Sequence, residues 1–228
     1  SFDPIVSKAF GIVEEAEEEL RVLYMLERHP HPHLIHAIHP PAFISGRMVV
    51  YLPMCAGGDL FDFVQRRGHL AEPEAYSLLL QIVSAVAHLH RHNVAHLDIK
   101  LENVFCNADH TVATVADFGH SQMVCTPDFQ CTVKHGTHLY AAPEVYDDHP
   151  CYDGRLADAW SIGVAAFLMT FGRNPFPDDY VLRSRSSPST PPISDAALLQ
   201  YNTTPRMSDF IQSCVVTDPS LRASPFLL

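Results

Sequence analysis

Four polar residues in the middle of the chain have the types and spacing of a phosphoryl-transfer site. Asp98, Lys100 and Asn103 lie within six residues, and Asp117 follows fourteen residues after Asn103. In such a site one carboxylate orients the attacking hydroxyl, while an amide and a second carboxylate hold Mg²⁺ against the phosphates. Each residue alone could be a turn or cap residue, but their joint spacing favours phosphate chemistry.

The segments around these residues resemble those of the protein kinase superfamily. Asp98 lies in the motif His-Leu-Asp-Ile-Lys-Leu-Glu-Asn, and Asp117 begins an Asp-Phe-Gly motif. Further matches are Ala-Pro-Glu at 142–144, Asp-Ala-Trp-Ser-Ile-Gly at 158–163, Gly-Arg-Asn-Pro-Phe at 172–176 and a closing Asp-to-Arg motif at 218–222. The resemblance covers roughly residues 5–225. It implies an α+β, bilobal kinase-like fold with a reduced N-lobe sheet, lacking the glycine-loop hairpin, and a mainly helical C-lobe.

The resemblance implies a catalytic role for five residues. Asp98 would take up the proton of the attacking hydroxyl, and Lys100 would neutralise the transferred phosphoryl group. Thr137 would bridge Asp98 and Lys100, while Asn103 and Asp117 would be the Mg²⁺ ligands, since hard oxygen atoms suit that ion. A lysine two residues after the catalytic Asp is the pattern of Ser/Thr kinases. ATP, Mg²⁺ and a protein hydroxyl are therefore expected.

The resemblance also places a nucleotide-binding hinge after the predicted strand at residues 48–52. Adenine would use the carbonyl of Pro53 and the N–H of Cys55, because proline lacks an N–H but keeps its carbonyl. Asp59 would accept from the ribose hydroxyls, and Phe105 would form the floor under adenine. Leu52 would be the gatekeeper.

The N-terminal region departs from the family. The sequence contains no Gly-x-Gly-x-x-Gly, the pattern of the loop that covers the ATP phosphates in kinases. Lys8 still lies in a segment that resembles the strand with the ATP-binding lysine, and Glu19 is the candidate partner. The competing glutamates are Glu15, Glu17 and Glu18. Alternatively, Lys8 is a surface lysine and the glutamate run is a solvated helix face.

Two explanations fit the missing loop. Either the chain is a piece of a longer one, or it belongs to a group that lacks the loop natively. It resembles the secreted apicomplexan kinases and pseudokinases of the rhoptry and dense-granule type. The first hypothesis is an active Ser/Thr kinase with an atypical nucleotide site. The second is a pseudokinase that acts as a protein-binding scaffold or allosteric regulator, and the third is a truncated chain whose function lies elsewhere.

Composition bears on partners and location. The formal net charge of −11 argues against non-specific binding of nucleic acid and agrees with a basic peptide or protein partner, although ordinary solubility also explains it. No apolar run is long enough to span a bilayer. The six cysteines form no Cys-x-x-Cys pair. They are either reduced and buried, or disulfide-bonded in an oxidising compartment, which would indicate a secreted protein of a granule or vacuole.

The elements that must position the site follow from apolar periodicity. Strands are predicted at 4–10 and 48–52 and a helix at 13–26. Further helices are predicted at 60–67, at 72–92 and from 157 onward, with short strands around Asn103 and before Asp117. Residues 1–54 would form the reduced N-lobe and 55–228 the C-lobe of one kinase-like domain. The Ser/Pro-rich residues 183–192 are predicted to be a mobile surface loop.

Other positions bear on regulation. Leu97 replaces the arginine that docks a phosphorylated activation loop in the family, so switching of that kind is not expected here. In the family the arginine of the closing motif, Arg222, pairs with the glutamate of Ala-Pro-Glu, Glu144. His120 has no assigned role. The histidines at positions 29, 31, 33, 36 and 39 could bind Zn²⁺ or respond to pH, and the prolines among them favour the pH response.

Overall fold

A three-stranded antiparallel sheet and one helix form the N-terminal part of the protein. The computed structural model describes residues 5–10, 13–44, 47–126, 128–132, 134, 136–147, 150–176, 193 and 203–224. β1 (Ile5–Phe10) and β2 (His39–Ile44) both pair with the central β3 (Arg47–Pro53). α1 (Val13–Arg28) connects the two edge strands, and Lys8 stands opposite Val50 in the register.

One strand of this sheet was not predicted from the sequence. β1, α1 and β3 lie within two residues of their predicted bounds, whereas β2 contains Pro40 and Pro41, which argue against a strand. β2 is an edge strand, so a proline nitrogen facing away from β3 costs no ladder hydrogen bond. The register shifts between His39 and Ala42, the interval in which both prolines lie.

Helices and short paired strands make up the remainder of the described chain. The helices are α2 (Leu60–Arg67), α3 (Glu72–Arg91), α4 (Gly154–Phe171) and α5 (Pro205–Cys214), and 3₁₀ turns lie at Leu101–Asn103, Pro143–Tyr146 and Pro219–Leu221. β4 (Gly58–Asp59), β6 (Val104–Cys106) and β7 (Ala113–Val115) form one small sheet. β5 (Val94–Ala95) pairs with β8 (Gln122–Met123), and β9 (Gln130–Cys131) pairs with β10 (Tyr152–Asp153).

The helix α4 is capped at both ends and is buried along most of its length. Asp153 caps its N-terminus by accepting from the amide of Arg155 at 2.9 Å, and Gly172 ends it in the left-handed conformation with φ 69°. Between these caps residues 157–169 are all buried and mostly apolar, Trp160 completely so, with Asp158 and Ser161 as the polar exceptions. A side chain at Gly163 would place its Cβ 2.5 Å from the Cβ of Cys214, so glycine lets α5 approach closely.

These elements confirm the predicted helices at 60–67 and 72–92 and the α+β class. Residues 183–192 lie outside the described residues, and the division between residues 54 and 55 stays a prediction. Within the described ranges, no helix combines the length and the apolar character needed to cross a bilayer. All six cysteines are free thiols, so no disulfide supports an oxidising compartment, and the location stays a prediction.

Candidate phosphoryl-transfer site

A buried carboxylate on α4 shapes the loop that carries Asp98. Both oxygens of Asp158 accept from this loop: Oδ2 from the amide of His96 at 2.9 Å and Oδ1 from the amide of Leu97 at 2.8 Å. Leu97 has φ 63°, a left-handed conformation that is unusual for a branched residue. Oδ2 also accepts from the Nε2 of His90 on α3 at 2.8 Å. One side chain therefore fixes the loop between two core helices.

Asp98 lies at the centre of a hydrogen-bonded group of donors. Its Oδ2 accepts from the Nζ of Lys100 at 2.7 Å and from the Nδ2 of Asn103 at 3.0 Å. Its Oδ1 accepts from the amide and the hydroxyl of Thr137 at 3.1 and 2.9 Å. Lys100 donates in turn to the hydroxyl oxygen of Thr137 at 2.9 Å. The structure thus brings together the base, the lysine and the threonine that the sequence predicted as partners.

These donors set the protonation state of Asp98. Burial opposes its ionisation, but the hydrogen bond and the charge of Lys100 and the hydrogen bond of Thr137 outweigh burial and lower the pKa of the carboxyl. Asp98 is therefore a carboxylate at neutral pH. In that form it can accept a hydrogen bond from an alcohol and orient it.

Asn103 and Asp117 lie together in the wall of the same cavity. The amide nitrogen of Asn103 donates to the backbone oxygen of Asp98 at 2.9 Å as well as to its side chain, which leaves the Asn103 Oδ1 as the oxygen that can meet a cation. Asp117 has φ 65°, and a Cβ at Gly119 would come within 3.4 Å of its Oδ1. Glycine therefore leaves room beside this carboxylate.

The donor set fits a hard cation that shares phosphate oxygens. Among the described residues, no group of three or more His, Cys, Asp or Glu side chains could hold a metal ion. One amide oxygen and one carboxylate cannot form a complete protein cage. Mg²⁺ characteristically takes only one or two carboxylates and completes its octahedron with phosphates and water. Asn103 and Asp117 suit that mode of binding.

A cavity of about 450 Å³ adjoins these ligands. Its lining comprises Glu19, Leu23, Ile35, Leu52, Pro53, Met54, Cys55, Gly58, Glu102, Asn103, Phe105, Ala116, Asp117 and Phe118. Apolar walls with a few polar groups at one end are typical of a site for a planar ring with a charged tail. The predicted Pro53, Cys55 and Phe105 all lie in this lining. Asp59 does not, because its Oδ1 caps α2 by accepting from the amide of Asp62 at 2.8 Å.

The structure separates the competing glutamates of α1. Glu17 and Glu18 form exposed ion pairs with Arg21 at 2.7 and 3.0 Å, as a solvated helix face does. Glu19 is 3% exposed and lines the cavity. The side chains of Lys8 and Glu15 lie outside the described residues, so the Lys8 to Glu19 ion pair stays a prediction. The backbone places Lys8 in β1, opposite Val50.

Comparison with known proteins agrees with this geometry. The protein kinase domain family matches residues 6–227. The chain belongs to the protein kinase family. It is 35% identical over 199 residues to the NUAK family SNF1-like kinase 2 of Homo sapiens, covering 85% of this chain and 30% of that protein. It is 37% identical over 145 residues to Tribbles homolog 3 of Rattus norvegicus, covering 63% of this chain and 42% of that protein.

This kinase domain spans less than half the length of those two relatives. Both are mammalian, and the narrower resemblance to apicomplexan kinases stays a prediction. The kinase-like α+β fold that the motifs implied is confirmed. The expected pair between the closing arginine and the Ala-Pro-Glu glutamate is present: Arg222 donates to both carboxylate oxygens of Glu144, at 2.5 and 3.0 Å.

Two residues beside the kinase site were not given a role from the sequence. The Nδ1 of His120 lies 3.4 Å from the Asp98 Oδ2, and its side chain is 47% exposed at the mouth of the site. The only available signal was its position directly after Asp-Phe-Gly. Asp158 was noted only as part of a helix motif. Its control of the loop conformation depends on the fold, because it acts 61 residues away from Leu97.

Leu97, which takes the place of the family's arginine, is buried against the start of α4. A Cβ on Gly154 would lie 3.5 Å from the Leu97 Cδ2 and 2.5 Å from the Sγ of Cys131. Cys131 belongs to the activation segment, the stretch between Asp-Phe-Gly and Ala-Pro-Glu, and the amide of Gly154 donates to Phe129 of that segment at 3.3 Å. Leu97 and the activation segment therefore both lie against Gly154 at the start of α4.

Proposed function

We propose that this domain is a Ser/Thr protein kinase that transfers the γ-phosphate of ATP to a protein hydroxyl. The observation that carries the proposal is the shared hydrogen bonding of Asp98, Lys100 and Thr137 beside the cavity that contains Asn103 and Asp117. An ionised base next to a lysine is what transfer to an alcohol needs. The net charge of −11 favours basic protein substrates.

Asp98 positions the nucleophile. Its carboxylate accepts a hydrogen bond from the substrate hydroxyl, whose oxygen forms the new bond to the γ-phosphorus as the bond to the departing ADP oxygen breaks. The hydroxyl proton passes to Asp98 late in the transfer. Lys100 has three N–H groups, of which Asp98 and Thr137 take two. The third N–H is left to donate to an oxygen of the moving phosphoryl group.

Asn103 and Asp117 would hold Mg²⁺ through the amide and carboxylate oxygens. The bound ion supplies neutralisation of the β- and γ-phosphate charge. Leu52 and Phe105 would pack on the adenine ring, with the Pro53 carbonyl and the Cys55 N–H as its polar partners. The chain offers no glycine-rich motif to cover the phosphates, so we expect ATP binding to depend strongly on the cation. This is the atypical nucleotide site of the proposal.

Calorimetric titration with ATP tests the nucleotide site. We expect binding that requires Mg²⁺ and that Asp117→Ala loses. Asp109→Ala, which removes an exposed carboxylate on the turn between β6 and β7, is the matched control and should bind as the unchanged domain does. Absence of binding at about millimolar ATP, at the upper end of the substrate affinities of enzymes, contradicts the proposal.

Phosphate transfer to basic protein substrates separates a kinase from its alternative. A pseudokinase scaffold would keep the fold, and it could keep ATP binding, but it would transfer nothing. We expect incorporation of the γ-phosphate into Ser or Thr, reduced by about 100-fold or more in Asp98→Asn, because an amide cannot take up the hydroxyl proton. Equal incorporation by both proteins would show that Asp98 is not the base.

A further inference from the structure

Five histidine rings form a continuous chain of contacts between the loop after α1 and the C-terminal end of α3. The rings of this histidine stack are those of His29, His31, His33, His88 and His92. His29 lies on His92 at 4.4 Å between ring centroids, His92 contacts His88 at 4.6 Å and His88 contacts His31 at 4.9 Å. Two of the rings come from the end of α3, and the others come from the loop after α1.

The hydrogen bonds of His31 require a neutral ring. Its Nδ1 accepts from the amide of His33 at 3.3 Å, so this nitrogen carries no proton. The other nitrogen, Nε2, then carries the hydrogen and donates to the hydroxyl of Ser84 on α3 at 3.1 Å. An imidazolium has a proton on both nitrogens and cannot accept. Protonation of His31 therefore breaks the bond to the His33 amide.

The neighbouring groups that lower the pKa of His31 and His92 are basic. The pKa of His31 is lowered to about 4 by burial first and then by its charged neighbours, which are His33 and His36 on the loop and His88 and Arg91 on α3. Burial, followed by His88, His29 and Arg91, also lowers the pKa of His92. Added protons would therefore repel one another as well as Arg91.

The loop that contributes these rings is also joined to the strand before Asp117. The Val115 amide donates to the His33 carbonyl and the Ile35 amide donates to the Val115 carbonyl, both at 2.9 Å. The His33 Nδ1 donates to the carbonyl of Ala113 at 2.9 Å. β7 therefore depends on the loop for its outer hydrogen bonds. Ile35 itself lines the cavity.

We propose that the histidine stack is an acid-sensitive joint that holds the loop after α1 onto α3 and β7 while the His31 ring is neutral and releases it when that ring is protonated. The inference does not depend on kinase activity. Its direct consequence is a loss of stability in mild acid. The neighbouring cavity wall at Ile35 loosens with the loop.

The direction of the pH effect follows from proton linkage. An unfolded chain has histidines with pKa near 6.5, whereas His31 in the folded protein remains neutral to about 4, so the unfolded state binds protons first as the pH falls. The neutral His31 ring therefore stabilises the fold fully above about pH 6.5 and progressively less below it. If the His31 ring were fully buried, this difference in pKa would change the folding equilibrium about 30-fold at about pH 5. The ring is only partly buried, and solvent screening reduces the expected change to about tenfold.

His31→Asn is the sharpest variant. The Asn Oδ1 can replace the imidazole Nδ1 as acceptor for the His33 amide, and asparagine does not titrate. We expect urea unfolding to show that the folding equilibrium of the unchanged domain falls about tenfold more than that of His31→Asn between about pH 7.5 and pH 5. His69→Asn is the matched control, since His69 is an exposed histidine outside the stack that donates to the carbonyl of the neighbouring Leu70. It should fall as the unchanged domain does, and an equal fall in His31→Asn would overturn the proposal.

Two measurements on the unchanged domain keep the proposal testable if His31→Asn does not fold. NMR titration should show the His31 ring protonating well below pH 6.5. Hydrogen exchange should show the Ile35 and Val115 amides losing protection in mild acid before the core amides of α4 do. Protonation of His31 near 6.5, or simultaneous loss of protection in the loop and in α4, would count against a local joint.

Discussion

Thr137 donates both its amide and its hydroxyl hydrogen to the same oxygen of Asp98, Oδ1. The two residues are 39 positions apart, and Thr137 belongs to the activation segment whereas Asp98 belongs to the catalytic loop. The proposed base is therefore aligned by the activation segment. Disorder in that segment would misplace the base even when every catalytic residue is present.

Replacing Thr137 separates its hydroxyl from its amide. In Thr137→Ala we expect kcat to fall about tenfold, because the hydroxyl bridge between Asp98 and Lys100 is lost while the amide bond remains. Thr137→Ser keeps the hydroxyl and should retain most of the activity. Steady-state kinetics with ATP and a protein substrate measure both variants. If alanine and serine give the same kcat, the hydroxyl bridge has no catalytic role.

Removing Lys100 should change the pH dependence of the reaction. Burial raises the pKa of Asp98, but hydrogen bonds and nearby charge lower it by more, and Lys100 makes the largest lowering contribution. The lowered pKa keeps Asp98 ionised at mildly acidic pH. In Lys100→Ala the pKa of Asp98 rises, so the acidic limb of kcat/KM should move to higher pH. Lys134→Ala removes an exposed lysine of the activation segment, which donates to the backbone of Asp147, and should leave the limb in place. An unmoved limb in Lys100→Ala would contradict the coupling.

The ion pair between Arg222 and Glu144 should be important for stability. The Arg222 side chain is fully buried, and removing it in Arg222→Ala leaves the mostly buried Glu144 carboxylate without its partner. We expect a loss of about 3 kcal/mol in the free energy of unfolding. The comparison is Arg67→Ala, which breaks the more exposed pair with Glu74 and should cost less than about 1 kcal/mol. Urea denaturation measures both, and similar losses would mean that burial of the pair is unimportant.

Gly163 provides a test of the packing between α4 and α5. On helix propensity alone Gly163→Ala should stabilise the protein by about 1 kcal/mol. The new Cβ would lie 2.5 Å from the Cys214 Cβ and 2.6 Å from the Val215 Cγ2, however, so we expect overpacking to prevail with a net loss of about 2 kcal/mol. Ser77→Ala on the exposed face of α3 should change stability by less than about 0.5 kcal/mol. A more stable Gly163→Ala would show that the helices can separate at no cost.

The sequence predicted those parts of the site that are local in the chain. Asp98, Lys100 and Asn103 lie within one loop, so their spacing already limits how their side chains can meet. Asp59 caps α2 with its Oδ1, and its bond to the ribose hydroxyls stays a prediction. Competition between capping and ligand binding cannot be resolved from spacing alone.

Other features depend on the fold. The histidine stack joins rings that are 57 and 63 positions apart, in the contacts of His31 with His88 and of His29 with His92. The sequence showed as a group only the histidines of the loop after α1, and it predicted a pH response for them. It did not indicate that His88 and His92 would join them. β2 escaped prediction because its prolines are compatible with a strand only at the edge of a sheet.

The replacement of arginine by Leu97 changes which physical conditions govern the activation segment. An arginine that binds a phosphate group is weakened by salt and requires a second enzyme to add that group. Leu97 and Cys131 instead both lie close to Gly154, and apolar packing of this kind does not depend on ionic strength. Apolar contacts weaken on cooling. Packing of this kind therefore responds to temperature, whereas an arginine–phosphate contact responds to the enzyme that adds the phosphate.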